Sequence, residues 1–420
     1  MQLYLKNIGK LKKANIELKG ITVIAGENDT GKSTVGKVLF SVFNSYKDIE
    51  NKVKKERVEN IKTIIENSKS GISDFKLILS NIETDEIAKY LLTNVDKYSK
   101  KESLEKDLPQ LIRKYNPAFA ENTEFMDALN HSVNRIFIYL TIEDERIIDL
   151  ILLKNLYSEF GNQICNYYSN NNSEIRLTIK TNVIQISMKD NIVEKTTGKL
   201  SLKTEVIYID DPFIIDEKMI EISPNSYEHR KHLKHKLFYV IPDNVLDEII
   251  KNEKLKKVLE KLNIVCDGEI ESNKTIISYK NSKMKKGIEI KNVSTGLKTF
   301  IIIKMLLQNG ALEFNGTIVL DEPEVHLHPE WQLVFAEIIV LLQKEFDMHI
   351  LLNTHSPYFI EAIEVYSKKH GIADKCKYYL AENDSNNSTS EIINVTDETE
   401  RIYEKLYRPL QNLENEGNSI

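Results

Sequence analysis

The chain has 420 residues, 41% hydrophobic and 29% charged, with a formal net charge of −6. Such proportions exclude a disordered or fibrous chain, and the length allows a large core and more than one domain. No apolar run approaches the roughly eighteen residues a membrane span needs, the N-terminus enters a strand with no signal peptide, and the acidic balance argues against a uniformly basic surface.

In chain order, Leu3 to Leu5 and Ala14 to Leu18 read as strands, and Ile21 to Ala25 as a buried strand. Next comes Gly26-Glu-Asn-Asp-Thr-Gly-Lys-Ser-Thr34, which fits the phosphate-loop pattern of Gly, four residues, then Gly-Lys-Ser/Thr. Val35 to Phe43 then carries apolar residues at helical spacing. Strand, loop and helix therefore fall in the order a phosphate cradle needs. Gly26 and Gly31 let successive amides point inward, and the helix starting near Lys32 adds the positive end of its dipole. Asn28, Asp29, Thr30, Gly31, Lys32, Ser33 and Thr34 complete the cradle, with Lys32 expected on the β- and γ-phosphates and the Ser33 hydroxyl on Mg²⁺. The structural alternative is a Gly-rich turn with an exposed lysine.

Residues 45 to 168 mix Lys, Glu, Asn, Ile and Leu at helical spacing, with Pro109 and Pro117 as breaks and no sustained heptads. A compact helical insertion is expected. After the turn at Ser169 to Ser173, the segments Glu174 to Lys180, Val183 to Met188 and Val206 to Ile209 read as strands of an antiparallel layer beside the loop. Lys52 to Arg57, Lys100-Lys101 and His229 to Lys236 are candidate basic faces. His229, His232 and His235 recur every third residue, but with Lys and Arg around them a solvated basic helix, or a nucleic-acid or nucleotide-gated contact face, is favoured over a metal site. Val245 to Leu262 is an amphipathic helix, and Ile264 to Ile290 returns to strands. Cys165, Cys266 and Cys376 have neither metal-ligand nor disulfide spacing and are expected as reduced core residues in a cytoplasmic setting.

Asn292-Val-Ser-Thr-Gly-Leu-Lys298 precedes an Ile- and Leu-rich helix from Thr299 to Leu307. Ser294 is a candidate cap, and Gly296 allows close backbone approach at a second helix N-terminus. Thr317 to Leu320 is another buried strand and delivers Asp321 and Glu322 at its end, Asp321 as a Mg²⁺ ligand and Glu322 as the base that activates water. A strand running out into a solvated acidic turn is the alternative. Ile350 to Thr354 is one more strand, ending at His355, which is placed to position water and bond a γ-phosphate; a plain turn histidine is the bland reading. The tail reads as a helix, strands at Tyr378 to Ala381 and Glu391 to Val395, and a helix from Glu398 to about Leu413.

Phosphate loop, Ser-x-Gly before a helix, Asp-Glu-Pro and Thr-His-Ser, in that order, resemble the ATP-binding-cassette ATPases. Asn28, the run Glu324-x-His326-Leu-His328-Pro329 and the opening Leu5-Lys-Asn-Ile-Gly9 are similar to the soluble branch that holds SMC-like, RecF-like and OLD-like (overcoming lysogenization defect) proteins. The resemblance covers about residues 1 to 45 and 200 to 410. It implies an α/β fold, an ABC-type P-loop ATPase head with a mixed central sheet, flanking helices and an antiparallel β layer. Residues 1–44 and 169–420 would form this ATPase domain and 45–168 the helical insertion.

It also implies a head-to-tail homodimer around two ATP molecules with Mg²⁺. Gly26 to Thr34, Asp321, Glu322 and His355 of one subunit would face Ser294 and Gly296 of the other, with Val325 to His328 crossing between. The signature departs from the commoner Leu-Ser-Gly-Gly-Gln, and where relatives carry a glutamine after the lobe-linking strand this chain offers Asp210-Asp211-Pro212. OLD-like nucleases append a Toprim domain, for which the tail is too short. The implied role is a dimeric ATP switch controlling a separate protein effector, a nuclease or toxin, in a bacterial anti-phage or toxin–antitoxin-like system, away from the membrane. A RecF-like ATPase that touches DNA and a scaffold with little turnover stay open.

Overall fold

The computed structural model describes residues 1–68, 81–115, 117, 121, 123–168, 171–217, 226–239, 245–272, 277–386 and 388–417. It divides into two units, residues 1–47 with 152–420 and residues 48–151.

The larger unit is built on one eleven-stranded sheet in the order β6-β5-β4-β1-β2-β14-β13-β3-β12-β11-β7. Its centre is parallel: β3 (Ile21–Gly26) lies between β13 (Cys376–Asn383) and β12 (His349–Thr354), and β11 (Thr317–Asp321) lies between β12 and β7 (Val206–Ile209). These strands are near-continuous apolar runs because helices cover both faces. One face packs Val23, Ile318, Leu320 and Leu352 against Phe300, Ile303, Phe335 and Ile338 of the covering helices. The other end of the sheet is antiparallel. There β1 (Gln2–Ile8), β2 (Leu11–Glu17), β4 (Ser173–Ile179), β5 (Asn182–Lys189) and β6 (Ile192–Thr197) show the alternating burial of a sheet with one wet face, best seen in β4 and β5. β14 (Ser390–Asn394) joins the halves, parallel to β2 and antiparallel to β13. A small antiparallel sheet of β8 (Glu269–Ser272), β9 (Ile277–Lys280) and β10 (Ile288–Glu289) precedes the signature.

Two readings of this region are corrected. Val206 to Ile209 is not in the antiparallel layer but forms the parallel edge beside β11, where all four residues are buried. A four-residue apolar run suits a strand covered on both faces, whereas its neighbours in sequence alternate. Cys165 is half-buried, while Cys266 and Cys376 are buried, and all three are free thiols.

The helices of this unit are α1 (Lys32–Tyr46), the end of α6 (Asp144–Phe160), α7 (Glu228–Phe238), α8 (Val245–Leu262), α9 (Thr295–Gln308), α10 (Pro329–Phe346), α11 (Pro357–Lys369) and α12 (Glu400–Gly417). Among the described residues no helix is long and apolar enough to cross a membrane.

The smaller unit contains α2 (Ile49–Asn67), α3 (Asn81–Thr93), α4 (Lys101–Tyr115), α5 (Thr123–Thr141) and the start of α6. It has its own core, in which Ile61, Leu91, Leu108, Ile112, Leu129 and Ile136 are fully buried. Pro109, read as a break, lies inside α4. The lost hydrogen bond is outweighed by the buried face of Leu104, Leu108, Leu111 and Ile112, each contributing about 1.5–3 kcal/mol. The run Lys52 to Arg57 is not a uniform basic face either: Arg57 is buried and donates to the carbonyls of Tyr139 (2.6 Å) and Leu140 (3.0 Å) at the end of α5 and to Asp144 (2.6 Å).

Candidate nucleotide site

Four adjacent parallel strands end on one edge of the sheet, and each delivers polar residues there. β3 ends in Gly26, β12 in Thr354 before His355, β11 in Asp321 before Glu322, and β7 runs into Asp210. The carboxyl edge of a parallel sheet is where α/β folds place ligands.

The loop from Gly26 closes on α1. Gly31 is its N-cap in the left-handed region (φ 80°), and a β-carbon there would come within 2.8 Å of the Leu11 side chain, so only glycine fits. Asn28 and Asp29 are exposed, with Asp29 also left-handed (φ 60°) and paired to Lys10 at 2.7 Å. Thr30 is buried and donates its hydroxyl to the Glu27 carbonyl (2.8 Å), and the Thr34 amide donates to the Gly31 carbonyl (3.2 Å). Lys32 is 4% exposed, and its ammonium donates to the carbonyls of Gly26 (2.9 Å) and Glu27 (2.8 Å). Its carboxylate partner is Glu322 at 3.5 Å, a weak pairing for a buried cation. A phosphate fits that deficit.

Asp321 is held by neutral donors alone among the described residues, the Tyr208 hydroxyl (2.7 Å) and the Asn353 amide (3.0 Å). A carboxylate so oriented, with no cation of the chain beside it, fits a metal ligand. Ser33 is exposed and lines a cavity of about 330 Å³ together with Asp210, Asp211, Asp321 and Glu322. Among the described residues no cluster of three or more His, Cys, Asp or Glu is placed to chelate an ion unaided, so a bound Mg²⁺ would take its remaining ligands from phosphate and water.

Glu322 adopts a left-handed backbone (φ 50°), and its amide donates to the Asn353 carbonyl (2.9 Å). Its carboxylate lies 3.3 Å from His355 Nδ1. The His355 imidazole 3.3 Å away holds the Glu322 carboxyl below its ordinary range, with Lys32 adding to the effect against partial burial. His355 is raised in turn, first by that same contact. Next along, Glu324 is 2% exposed, bonded to the Thr354 hydroxyl, and pushed up by burial.

The signature residues lie elsewhere. Ser294 and Gly296 line an open groove with His326, His328 and Trp331. Ser294 occupies the N-cap position of α9, but its hydroxyl makes no capping bond, which corrects the expected cap. It is exposed instead. Gly296 is required by close approach, because a β-carbon would come within 2.7 Å of the His326 carbonyl oxygen. Lys298 turns inward to Asp216 at 2.6 Å. One chain therefore brings Lys32, Asp321, Glu322 and His355 together and leaves Ser294 and Gly296 in a second groove, which shares His326 with the cavity.

The run from His229 to Lys236 departs most from expectation. His229, Lys234 and Lys236 are buried, and the run pairs with Glu159, Asp210, Asp211, Glu205 and Glu217. Acids from distant positions pair with it, so it is not a solvated basic helix. Tyr208, Asn353 and Thr354 were invisible as site residues because each sits inside an apolar strand pattern, and only strand register brings them to the carboxylates.

Fold and site together define a P-loop ATPase of the ATP-binding-cassette type. The chain belongs to the AAA ATPase domain family, whose profile matches residues 1–360. Among solved structures it is similar to the SMC head domain from Thermotoga maritima, at 11% identity over 94% of this chain and 98% of that one, with a TM-score of 0.41. It is also similar to an SMC head bound to the C-terminal winged-helix domain of ScpA (14% identity, 95% and 98% covered, TM-score 0.42). A third is the Pyrococcus furiosus SMC head with an extended coiled coil, bound to the C-terminal domain of ScpA (13%, 97% and 99%, TM-score 0.36).

Proposed function

We propose that this protein is an ATP-hydrolysing dimeric switch that controls a separate effector, as the ATPase of a bacterial anti-phage or toxin–antitoxin-like pair. The observation that carries the hydrolytic part is the convergence of Lys32, Glu322 and His355 within 3.5 Å contacts beside Asp321. The effector part rests on resemblance to the OLD-like group.

In this reading the loop amides and Lys32 bind the phosphates, and Ser33 and Asp321 would hold Mg²⁺, which would supply neutralisation of the phosphate charge. Glu322, kept ionised at neutral pH, accepts the proton of the attacking water, and His355 orients Glu322 and the water. Ser294 and Gly296 present the N-terminus of α9 to the nucleotide of a second subunit, which makes ATP part of the interface. A RecF-like DNA enzyme is the second reading, and it is weakened by the acid-paired His229 run.

The test is Glu322→Gln, purified as the full chain in Mg²⁺-ATP. It should retain ATP, dimerise and lose turnover about 10²–10⁴-fold. Turnover at the wild-type rate would refute the role of Glu322, and negligible turnover in the wild type itself would point to a scaffold. Lys32→Ala should bind ATP at least about a hundredfold more weakly, since it removes charge-assisted bonds of roughly 1.5–3 kcal/mol each; wild-type affinity would sink the site. A stoichiometric protein captured with Glu322→Gln supports the effector, whereas DNA without protein moves the reading to genome maintenance.

A further inference from the structure

A buried charge cluster outside the residues given roles lies behind Asp210. His229, in the first turn of α7, is fully buried. Its Nδ1 lies 2.5 Å from Glu159 Oε2, and its backbone amide donates to the other Glu159 oxygen at 2.9 Å. Its Nε2 lies 3.0 Å from Asp210 Oδ2. Glu159, at the end of α6, is 1% exposed. An imidazole with a carboxylate at each nitrogen satisfies both only as the doubly protonated cation. Burial opposes that charge, but the hydrogen bonds to Asp210 and Glu159 outweigh it, so His229 is raised above its ordinary range.

Two aromatic rings stack on this imidazole, Tyr208 at 4.6 Å and Tyr227 at 5.6 Å between centroids. Tyr208 is the residue whose hydroxyl holds Asp321. Asp210 lines the same cavity as Ser33, Asp321 and Glu322, and its Oδ1 is buried without a hydrogen bond. A buried ion triad is a poor way to gain stability, because apolar residues of similar volume usually do as well or better. Its Asp210 end lines the nucleotide cavity, and the Tyr208 ring stacked on its imidazole carries the hydroxyl that holds Asp321, which points to a role there.

We propose that His229 is a positioning residue of the nucleotide site: backed by Glu159, it fixes the Asp210 carboxylate on the cavity wall and, through the stacked Tyr208 ring, the hydroxyl that orients Asp321. The proposal deepens the ATPase reading and rests on it. Asp210 acts through its fixed position on the cavity wall, where His229 and, at 3.9 Å, Arg230 hold it, and Tyr208 acts through the geometry of Asp321.

The test uses the full chain with a non-hydrolysable ATP analogue and measures Mn²⁺ affinity by electron paramagnetic resonance. His229→Gln and Asp210→Asn should each weaken Mn²⁺ binding about tenfold, as loss of outer-shell partners does, and Tyr208→Phe should weaken it less. Metal-free affinity for the analogue should stay at the wild-type value in all three. In turnover assays the Mg²⁺ concentration for half-maximal rate should rise while KM for ATP does not, a split that general loosening would not produce. A folded His229→Gln with wild-type Mn²⁺ affinity overturns the proposal. Should that variant not fold, wild-type Mn²⁺ affinity in Asp210→Asn, whose side chain is 26% exposed and tolerates the change, overturns it equally. If Lys32→Ala binds the analogue as tightly as wild type, the nucleotide site itself is refuted, an outcome separate from either of these.

Discussion

Glu322 carries two constraints at once. Its left-handed backbone costs a non-glycine residue about 1–2 kcal/mol, and the same bend turns its carboxylate toward both Lys32 and His355. The His355 pKa is raised, so its part of the pair's stability is complete below its ordinary 6.5 and fades as pH rises through the raised value. The Glu322 pKa is lowered, so its part is present above its ordinary 4.5 and fades as pH falls through the lowered value. Between those limits the pair stabilises most. We expect His355→Ala to lower the melting temperature slightly near pH 6 and not at about pH 9, with an effect of a few tenths of a kcal/mol because both groups are partly exposed. A difference that grows toward alkaline pH would contradict the pairing. Asp321, Glu322 and His355 were legible as residue types at strand ends and Lys32 from the phosphate-loop pattern; that Glu322 and His355 touch was not, because their contact depends on β11 and β12 being neighbours in register.

Among the elements, α8, α10 and α11 are joined at a single buried carboxylate. Glu337 on α10 is 4% exposed and takes Lys261 from α8, Lys369 at 2.8 Å and His370 at 3.0 Å beyond α11. Burial alone would raise this carboxyl, but the hydrogen bonds from Lys261, Lys369 and His370 bring it down to about 2. Its contribution is therefore present above its ordinary 4.5 and lost as pH falls through about 2. Glu337→Gln leaves the Lys261 and Lys369 ammonium groups facing a neutral group and should cost about 3 kcal/mol at pH 7, read as a drop of several degrees in melting temperature. The gap to wild type should narrow at about pH 3; a gap unchanged by acid would assign the loss to packing instead. The extent of α8 was legible from its apolar spacing, and the structure places it at the same residues, Val245–Leu262. The inward turn of α7 was not, since Lys and His in a run read as solvent-facing until acids from β7, α6 and the segment before β7 are brought opposite them.

For the whole molecule, two cores in two units predict two unfolding events. Residues 48–151 bury their own apolar set, while the phosphate loop belongs to the other unit. A nucleotide that binds only the folded site stabilises that unit by RT ln(1 + [L]/Kd), about 2.7 kcal/mol at a hundredfold excess over Kd. In calorimetry, Mg²⁺ with a non-hydrolysable ATP analogue should shift one transition upward and leave the other in place. Two transitions moving together would mean that the units unfold as one.

The sequence by itself determined the phosphate loop, the Asp321-Glu322 pair, His355 and the order that relates them. Each depends on local chemistry, a glycine where φ is positive or a carboxylate at the end of an apolar strand, and such signals survive in one dimension. Only the tertiary structure decided that β7 closes the parallel edge, that Tyr208 and Asn353 orient Asp321, and that His229 is buried between Glu159 and Asp210. Those facts rest on pairing between segments tens to more than a hundred residues apart. Nothing in a strand's own composition says which strand lies beside it, and a charged side chain shows its burial only when its counter-charge arrives from elsewhere in the chain.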